Sequence, residues 1–392
     1  MTLLDQLELR GKRVFIRVDF NVPLEQGVVT DATRIEAALP TIRCAIERGG
    51  RVILASHLGR PKGKPDPAFS LAPVRAALET RLGQPVTLAV DCVGRAVEQQ
   101  VAALRDGEVL LLENLRFHAE EERNDESFAR ALARLADVYV DDAFGTAHRA
   151  HASTVGMVGY VAEHAAGFLL QRECEYLGKI LAAPERPLVA ILGGAKVSDK
   201  IKVIKSLLTR VDSLLIGGAM AYTFLRAQGV PTGTSLVEEA QLGLAMELLA
   251  TAKVRGVDVV LPIDHVVARE GKAGVASSVV SGPIPNGQMG LDIGPQTVEQ
   301  FRAIVASAGT VFWNGPLGMF EVLPFDRGTM AIAAAVADSG AVSVIGGGDS
   351  VAAIMRSGRA GDITHISTGG GASLEFLEGE PLPGLVAVGV TP

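Results

Sequence analysis

The chain has 392 residues, 48% of them hydrophobic and 21% charged, which is too long for one ordinary core and predicts two globular domains. The formal charge of −7 is shared almost evenly, −3 over residues 1–168 and −4 over 169–392, so neither part is a basic nucleic-acid platform. Three widely spaced cysteines, Cys44, Cys92 and Cys174, form no CxxC or zinc-type spacing, which argues against a disulfide framework and predicts a reduced, cytoplasmic setting.

The N-terminus carries Asp5, Glu8 and Arg10 without an apolar segment, so no signal peptide is expected, and no apolar run is long enough to predict a transmembrane helix. From there the pattern alternates. Val14–Val18 reads as a strand, and residues 32–47 as a helix with Ile35, Leu39 and Ile42 on one face. Strands are predicted at 51–56, 86–90, 108–113 and 138–141, with helices at 71–82, 93–104 and 126–135. Residues 161–182 read as one long helix without a strand, stopped by Ala183-Pro184-Glu185-Arg186-Pro187. A second series follows. Strands are predicted at 188–192, 213–216, 258–261, 310–313 and 342–345, and helices at 199–208, 219–228, 238–254, 298–307 and 350–356.

Repeated βα units give a parallel sheet covered on both faces. The fold class is therefore α/β: two doubly wound, Rossmann-like parallel-sheet lobes joined by a helical hinge. One lobe spans 1–168 and the other 169–373.

Ligands of parallel α/β sheets bind beyond the carboxyl ends of the strands. In the first lobe these ends carry Arg17-Val18-Asp19-Phe20-Asn21, His57-Leu58-Gly59-Arg60, Asn114-Leu115-Arg116 and Asp141-Asp142. Arg34 opens the first helix, and His148 and Arg149 follow the fifth strand. One such arginine is ordinarily a solvated surface charge. Their recurrence at successive strand ends points instead to an anionic ligand held by forked contacts. The pair Asp141-Asp142 reads better as strand-end carboxylates bonded to backbone or arginine than as acid–base catalysts.

The second lobe differs. Its strand ends are Gly193-Gly194-Ala195-Lys196-Val197-Ser198-Asp199-Lys200, Gly217-Gly218-Ala219, Asn314-Gly315-Pro316-Leu317-Gly318, Gly346-Gly347-Gly348-Asp349-Ser350 and Thr368-Gly369-Gly370-Gly371. Paired glycines let a ligand approach the backbone, and helix N-termini offer free N–H groups to phosphate. Lys196 and Lys200 reach phosphates as point charges, and Asp349 suits Mg²⁺, which takes few carboxylates and several phosphate oxygens. No P-loop or GxGxxG fingerprint is present, which counts against a dehydrogenase. A non-catalytic nucleotide-binding scaffold is the other rival, and the full set of charged strand-end residues counts against it.

Taken in order, these segments resemble the phosphoglycerate kinases over nearly the whole chain. The resemblance rests on Val18 to Leu24, Thr30 to Ile35, Ser56 to Gly63, Glu113 to Phe117, Asp141 to Arg149, Gly193 to Lys200, Trp313 to Gly318, Gly347 to Ser350 and Ser367 to Ser373. It implies reversible phosphoryl transfer between MgATP and the carboxylate of 3-phosphoglycerate, giving 1,3-bisphosphoglycerate and MgADP. It implies that Asp19, Asn21, Arg34, His57, Arg60, Arg116 and Arg149, with Phe20, Leu58 and Gly59 beside them, hold the acid. The nucleotide falls to Lys196, Lys200, Gly217, Gly218, Gly290, Asn314, Glu321, Gly347, Gly348, Asp349 and Ser350, with Asp349 on magnesium and Glu321 on the ribose. Glu321 is implied by the resemblance alone. Arg34 and Lys200 are expected at the transferring group, with the amides at Gly348, Gly370 and Gly371 on its equatorial oxygens. The resemblance also implies a monomer, hinge closure, and a C-terminal tail (374–392) that returns to the first lobe. Two departures stand out: His265, where an apolar residue is expected, and Ser350, where threonine is commoner.

Overall fold

The computed structural model describes residues 1–390 and divides into two compact units. The first comprises Met1–Glu175 and the C-terminal residues from Glu380 onward; the second is Tyr176–Gly379. The first boundary falls inside the helix Phe168–Ala182, which runs from one unit into the other. Residues 374–377 stay in the second unit because the helix Gly371–Leu377 packs on Ile201–Leu207, where the Ser206 hydroxyl donates to Leu377 O at 2.6 Å. Beyond Glu380, the Gly384 amide donates to Ala147 O at 2.8 Å, tying the helix Pro383–Ala387 to the first unit.

Each unit is built on a six-stranded parallel sheet, as the βα alternation predicts. In the first, the strands lie side by side as Val86–Leu88, Val109–Leu111, Arg51–Ala55, Arg13–Val18, Val138–Asp142 and Glu163–Ala166. In the second the order is Asp258–Val260, Ser213–Ile216, Leu188–Leu192, Thr310–Asn314, Val342–Gly346 and His365–Ile366. Central strands are buried on both faces, hence their unbroken apolar runs. Helices close the cores: Ile35, Ile42, Val74 and Leu78 pack over Val14, Ile16, Val52 and Leu54 in the first unit. Phe301, Ile332 and Ile354 pack over Ile191, Trp313 and Ile345 in the second. Each such aliphatic or aromatic side chain contributes roughly 1.5–3 kcal/mol when fully buried.

One expectation is corrected, and two elements carry no sequence prediction. Residues 161–182 are not one helix: Glu163–Ala166 is an edge strand paired in parallel with Val138–Asp142, and the helix starts after Gly167. Glu-His-Ala-Ala has no β-branched residue, so only its backbone pairing reveals it. Residues 264–293 contain a three-stranded antiparallel sheet, with Asp264–Ala268 between Ser278–Ser281 and Met289–Ile293. The alanine-rich helix Arg327–Asp338 also escaped the periodicity reading.

His265 sits on the central strand of that small sheet, buried, with its ring tilted against Tyr222 at 5.4 Å. Burial pulls its pKa down to about 4, so it fills the expected apolar position as a neutral ring. Among the described residues, no helix is long and apolar enough to cross a membrane.

Candidate functional site

The first cluster grows from the carboxyl ends of Arg13–Val18 and Arg51–Ala55. These strands pair with Arg17 opposite Ala55, so the chain beyond Val18 and the chain beyond Ala55 emerge side by side. The Arg34 guanidinium donates to Asp19 Oδ2 at 2.6 Å, and the Asn21 amide donates to Asp19 Oδ1 at 3.2 Å. Asn21 Oδ1 accepts from the Gly59 amide at 2.9 Å, and Gly59 O accepts from Arg116 Nη1 at 2.9 Å. Gly59 has φ +59°, and a Cβ there would stand 2.4 Å from the Phe69 ring, so this junction requires glycine. Asp19, Asn21, Arg34, Gly59 and Arg116 thus form one bonded chain.

His57 lies beneath it. Its Nδ1 is 3.3 Å from Arg17 Nη2 and 4.0 Å from Asp19 Oδ1. Burial, then the positive charges of Arg17, Arg116 and Arg34, push its pKa well below the ordinary histidine value, so it is neutral at pH 7. Arg116 is itself buried, and that burial lowers its pKa. A desolvated cation near Arg149 and Arg17, with the partly exposed Glu122 at 3.3 Å and the buried Glu121 as its carboxylate neighbours, leaves room for further negative charge. An anionic ligand would supply it.

Arg60 and Arg149 are exposed, with Arg149 Nε 3.1 Å from His148 Nε2. Phe20 and Leu58 point into the core instead, and both backbone groups of Leu58 are bonded to Asn114. They shape the loops rather than face solvent. Arg17, one of the charged strand-end residues, has its guanidinium buried, donating to Ser153 Oγ at 2.8 Å and to Val18 O rather than facing solvent. Its position on a strand face gave no sign of that. Asp141 and Asp142 behave as structural carboxylates: Asp141 Oδ1 accepts from the Ala143 amide, and Asp142 Oδ1 from Leu169 and Leu170.

In the second unit the glycine-rich turns surround a cavity of about 460 Å³. Gly194 and Gly218 line its floor, Glu321 and Asp349 its polar rim, and Tyr222, Leu236, Met289 and Met319 its apolar walls. Side chains at these glycines would collide with their neighbours, and at Gly218 the obstacles are backbone. A Cβ on Gly218 (φ +66°) would stand 2.6 Å from Gly194 N, one on Gly217 2.4 Å from Leu317 Cδ2, and one on Gly290 2.0 Å from Tyr222 Oη. An apolar slot rimmed by two carboxylates suits a planar base with a polar sugar and phosphates.

Lys200 Nζ is drawn to Asn314, donating to its backbone O at 2.8 Å and its Oδ1 at 2.5 Å. Burial lowers the Lys200 pKa to about 8, with Asp349 and Asp199 opposing the shift. Ser350 is fully buried and accepts from the Gly315 amide at 2.5 Å, so it binds the loop rather than facing the cavity. Gly347 caps the helix Gly348–Ser357, whose first turn carries Asp349. Lys196 is exposed in the loop that precedes the short helix Ser198–Lys200. Gly370 (φ +56°) and Gly371 open the helix Gly371–Leu377.

Of the residues expected at the nucleotide, Gly218, Gly290, Glu321 and Asp349 line the cavity, while Lys200 and Asn314 form a bonded pair. The apolar walls had no sequence signature, since Tyr222 or Met289 reads like any core residue. Glu238 was also missed. It accepts from the Val197 and Ser198 amides and the Ser198 hydroxyl, fixing the loop that presents Lys196. The donor set fits magnesium: one exposed carboxylate, Asp349, on the cavity rim leaves most of the coordination sphere to phosphates and water.

Residues 4–380 match the family model described as phosphoglycerate kinase. The chain is 61% identical over 388 residues to a phosphoglycerate kinase of Anaeromyxobacter dehalogenans (strain 2CP-C), covering 98% of each. It is 61% identical over 389 residues to that of Moorella thermoacetica, covering 99% of this chain and 98% of the relative. The solved phosphoglycerate kinase of Coxiella burnetii superimposes with a TM-score of 0.89 at 42% identity, covering 98% of both chains. The chain belongs to the phosphoglycerate kinase family.

Proposed function

We propose that the two clusters divide the family's substrates between them: the first unit holds 3-phosphoglycerate and the second MgATP or MgADP. The observation that carries this division is the contrast between the sites. One is a chain of arginines around a neutral histidine; the other is a glycine-floored apolar cavity with a carboxylate rim.

In this reading Asp19, Asn21, Arg34, His57, Arg60, Arg116 and Arg149 bind the acid. The base enters the cavity beside Gly218 and Gly290, and Glu321 meets the ribose. Asp349 would hold Mg²⁺, which neutralises phosphate charge when bound. The acceptor carboxylate of 3-phosphoglycerate is ionised at neutral pH, so no general base is required. Its oxygen attacks the γ-phosphorus of ATP while the bond to the bridging β–γ oxygen breaks, and ADP leaves. Arg34 and Lys200 offset charge on the transferring group, and the amides at Gly348, Gly370 and Gly371 donate to its equatorial oxygens. With the substrates on different units, transfer requires a closure that brings them together and expels water. The chain acts as a cytoplasmic monomer in this reading.

The test is turnover with 3-phosphoglycerate, ATP and Mg²⁺, following ADP release with hydroxylamine present to trap the acyl phosphate. Release that needs both the acid and the metal supports the proposal. MgATP binding without acid-dependent release overturns the assignment of the acceptor.

A further inference from the structure

The first unit contains a second group of chemistry-bearing side chains outside the arginine cluster. Asp91 and Cys92 follow the edge strand Val86–Leu88, and His118 follows the short helix Leu115–Phe117. The two segments run together because the Ala89 amide donates to Leu111 O at 2.8 Å and the Glu113 amide to Asp91 O at 3.4 Å. One potential ligand atom from each of Asp91, Cys92 and His118 lies within 4.8 Å of the others.

We propose that Asp91, Cys92 and His118 form a binding site for a single divalent cation of the zinc class, with water as fourth ligand. Thiolate, imidazole and carboxylate together select zinc-like ions over magnesium or calcium, which prefer oxygen alone. His118 Nε2 and Asp91 Oδ1 are 2.7 Å apart, and the Cys92 thiol turns to the same carboxylate. A tetrahedral zinc with bonds of 2.0–2.3 Å needs its ligand atoms about 3.4–3.6 Å apart. Small side-chain rotations therefore admit the ion. An Asp–His pair alone accounts for two of these groups. It does not account for a fully buried thiol directed at the same oxygen pair.

The surroundings suit a built site. Cys92 is 0% exposed and closes the inner side. The Asp91 and His118 side chains are 42% and 29% exposed, leaving an outer side for entry and for the water ligand. The His118 ring is stacked on Phe128 at 5.2 Å, which limits its rotation. Coordination releases the thiol proton to solvent and replaces the Asp91–His118 hydrogen bond with two metal bonds.

The site also borders the arginine cluster. His118 precedes the helix Ala119–Glu122, whose Glu122 lies 3.3 Å from Arg116 Nε. A bound ion would tether the segment that carries Arg116 to the sheet edge.

The experiment is a titration of the chelator-stripped full chain with Co²⁺, read by absorbance. The expected result is one equivalent bound, with a thiolate-to-cobalt charge-transfer band in the near ultraviolet that Zn²⁺ abolishes by displacement. Cys92→Ser should remove the band, and His118→Gln should weaken binding by about 10-fold or more. Cys44→Ser and Cys174→Ser should leave both unchanged. Circular dichroism and thermal melts establish that each variant is folded. His118→Gln changes a partly exposed side chain, so it tests the site even if Cys92→Ser does not fold. Absence of the band, its survival in folded Cys92→Ser, or unchanged affinity in His118→Gln overturns the proposal.

Discussion

Lys200 Nζ donates to both the backbone and the side-chain oxygen of Asn314, at 2.8 and 2.5 Å. The amine is thus aimed by a neighbouring strand end, and burial lowers its pKa to about 8. A group with a depressed amine pKa is charged below that value and loses its charge above it. For a cation facing phosphate, kcat/KM for MgATP should therefore fall as pH rises through about 8. Lys200→Arg stays charged and should shift that limb upward, whatever its absolute rate. A profile for the wild type that is flat from pH 7 to about 9 would show that the limb belongs elsewhere.

Arg34 reaches Asp19 Oδ2 at 2.6 Å and is about one-third exposed, so it is oriented yet accessible. Arg34→Ala and Lys200→Ala should each lower kcat by roughly 10²–10³, as expected for removing one charged donor from a transferring group. Substrate affinity should change much less. Steady-state kinetics with both substrates varied checks this, and a loss confined to KM refutes the assigned roles.

Gly218 combines φ +66° with a Cβ position 2.6 Å from Gly194 N and 2.8 Å from Pro316 O. Both obstacles are backbone, so they cannot swing aside. Gly218→Ala should cost about 1–3 kcal/mol of stability and weaken nucleotide binding. Thermal unfolding and calorimetry with MgADP measure the two effects. Gly243→Ala, where a Cβ meets open space, is the control and should leave binding unchanged.

Asp142 Oδ1 accepts from the Leu169 and Leu170 amides, while Oδ2 is buried without a partner among the described residues. Burial raises its pKa from 3.8 to about 7. The native state then holds a proton that the unfolded state releases between these values. This group's contribution is full below pH 3.8 and declines as pH rises towards 7. Asp142→Asn keeps the acceptor and removes the titration, so the variant should gain on the wild type across this window. The gain is at most about 4 kcal/mol if the whole shift is expressed. Denaturant unfolding at several pH values tests it, and parallel curves for the two proteins would rule the effect out.

Part of this molecule was readable from local pattern. Apolar runs such as Leu188–Leu192 and helical spacing such as Ile35, Leu39 and Ile42 are dictated by burial against a covered parallel sheet. The charged and glycine-rich strand ends were readable because that topology gathers them on the carboxyl edge. The edge strand Glu163–Ala166 was not, because non-local backbone pairing holds it. The small antiparallel sheet was hidden for a related reason: its register is set by partners up to some twenty-eight residues apart, His265 and Ile293.

The sequence by itself determined the two-lobed parallel architecture and the contrast between an arginine-lined and a glycine-lined set of strand ends, since both follow from residue type and period. Only the tertiary structure decided that Arg17 is buried against His57, that Tyr222 and Met289 wall a cavity, and that Cys92 meets His118. The reason is physical. A strand's alternation tells which side of a sheet a residue faces, but which neighbours it meets there depends on strand order and loop path, and residues distant in the chain set both.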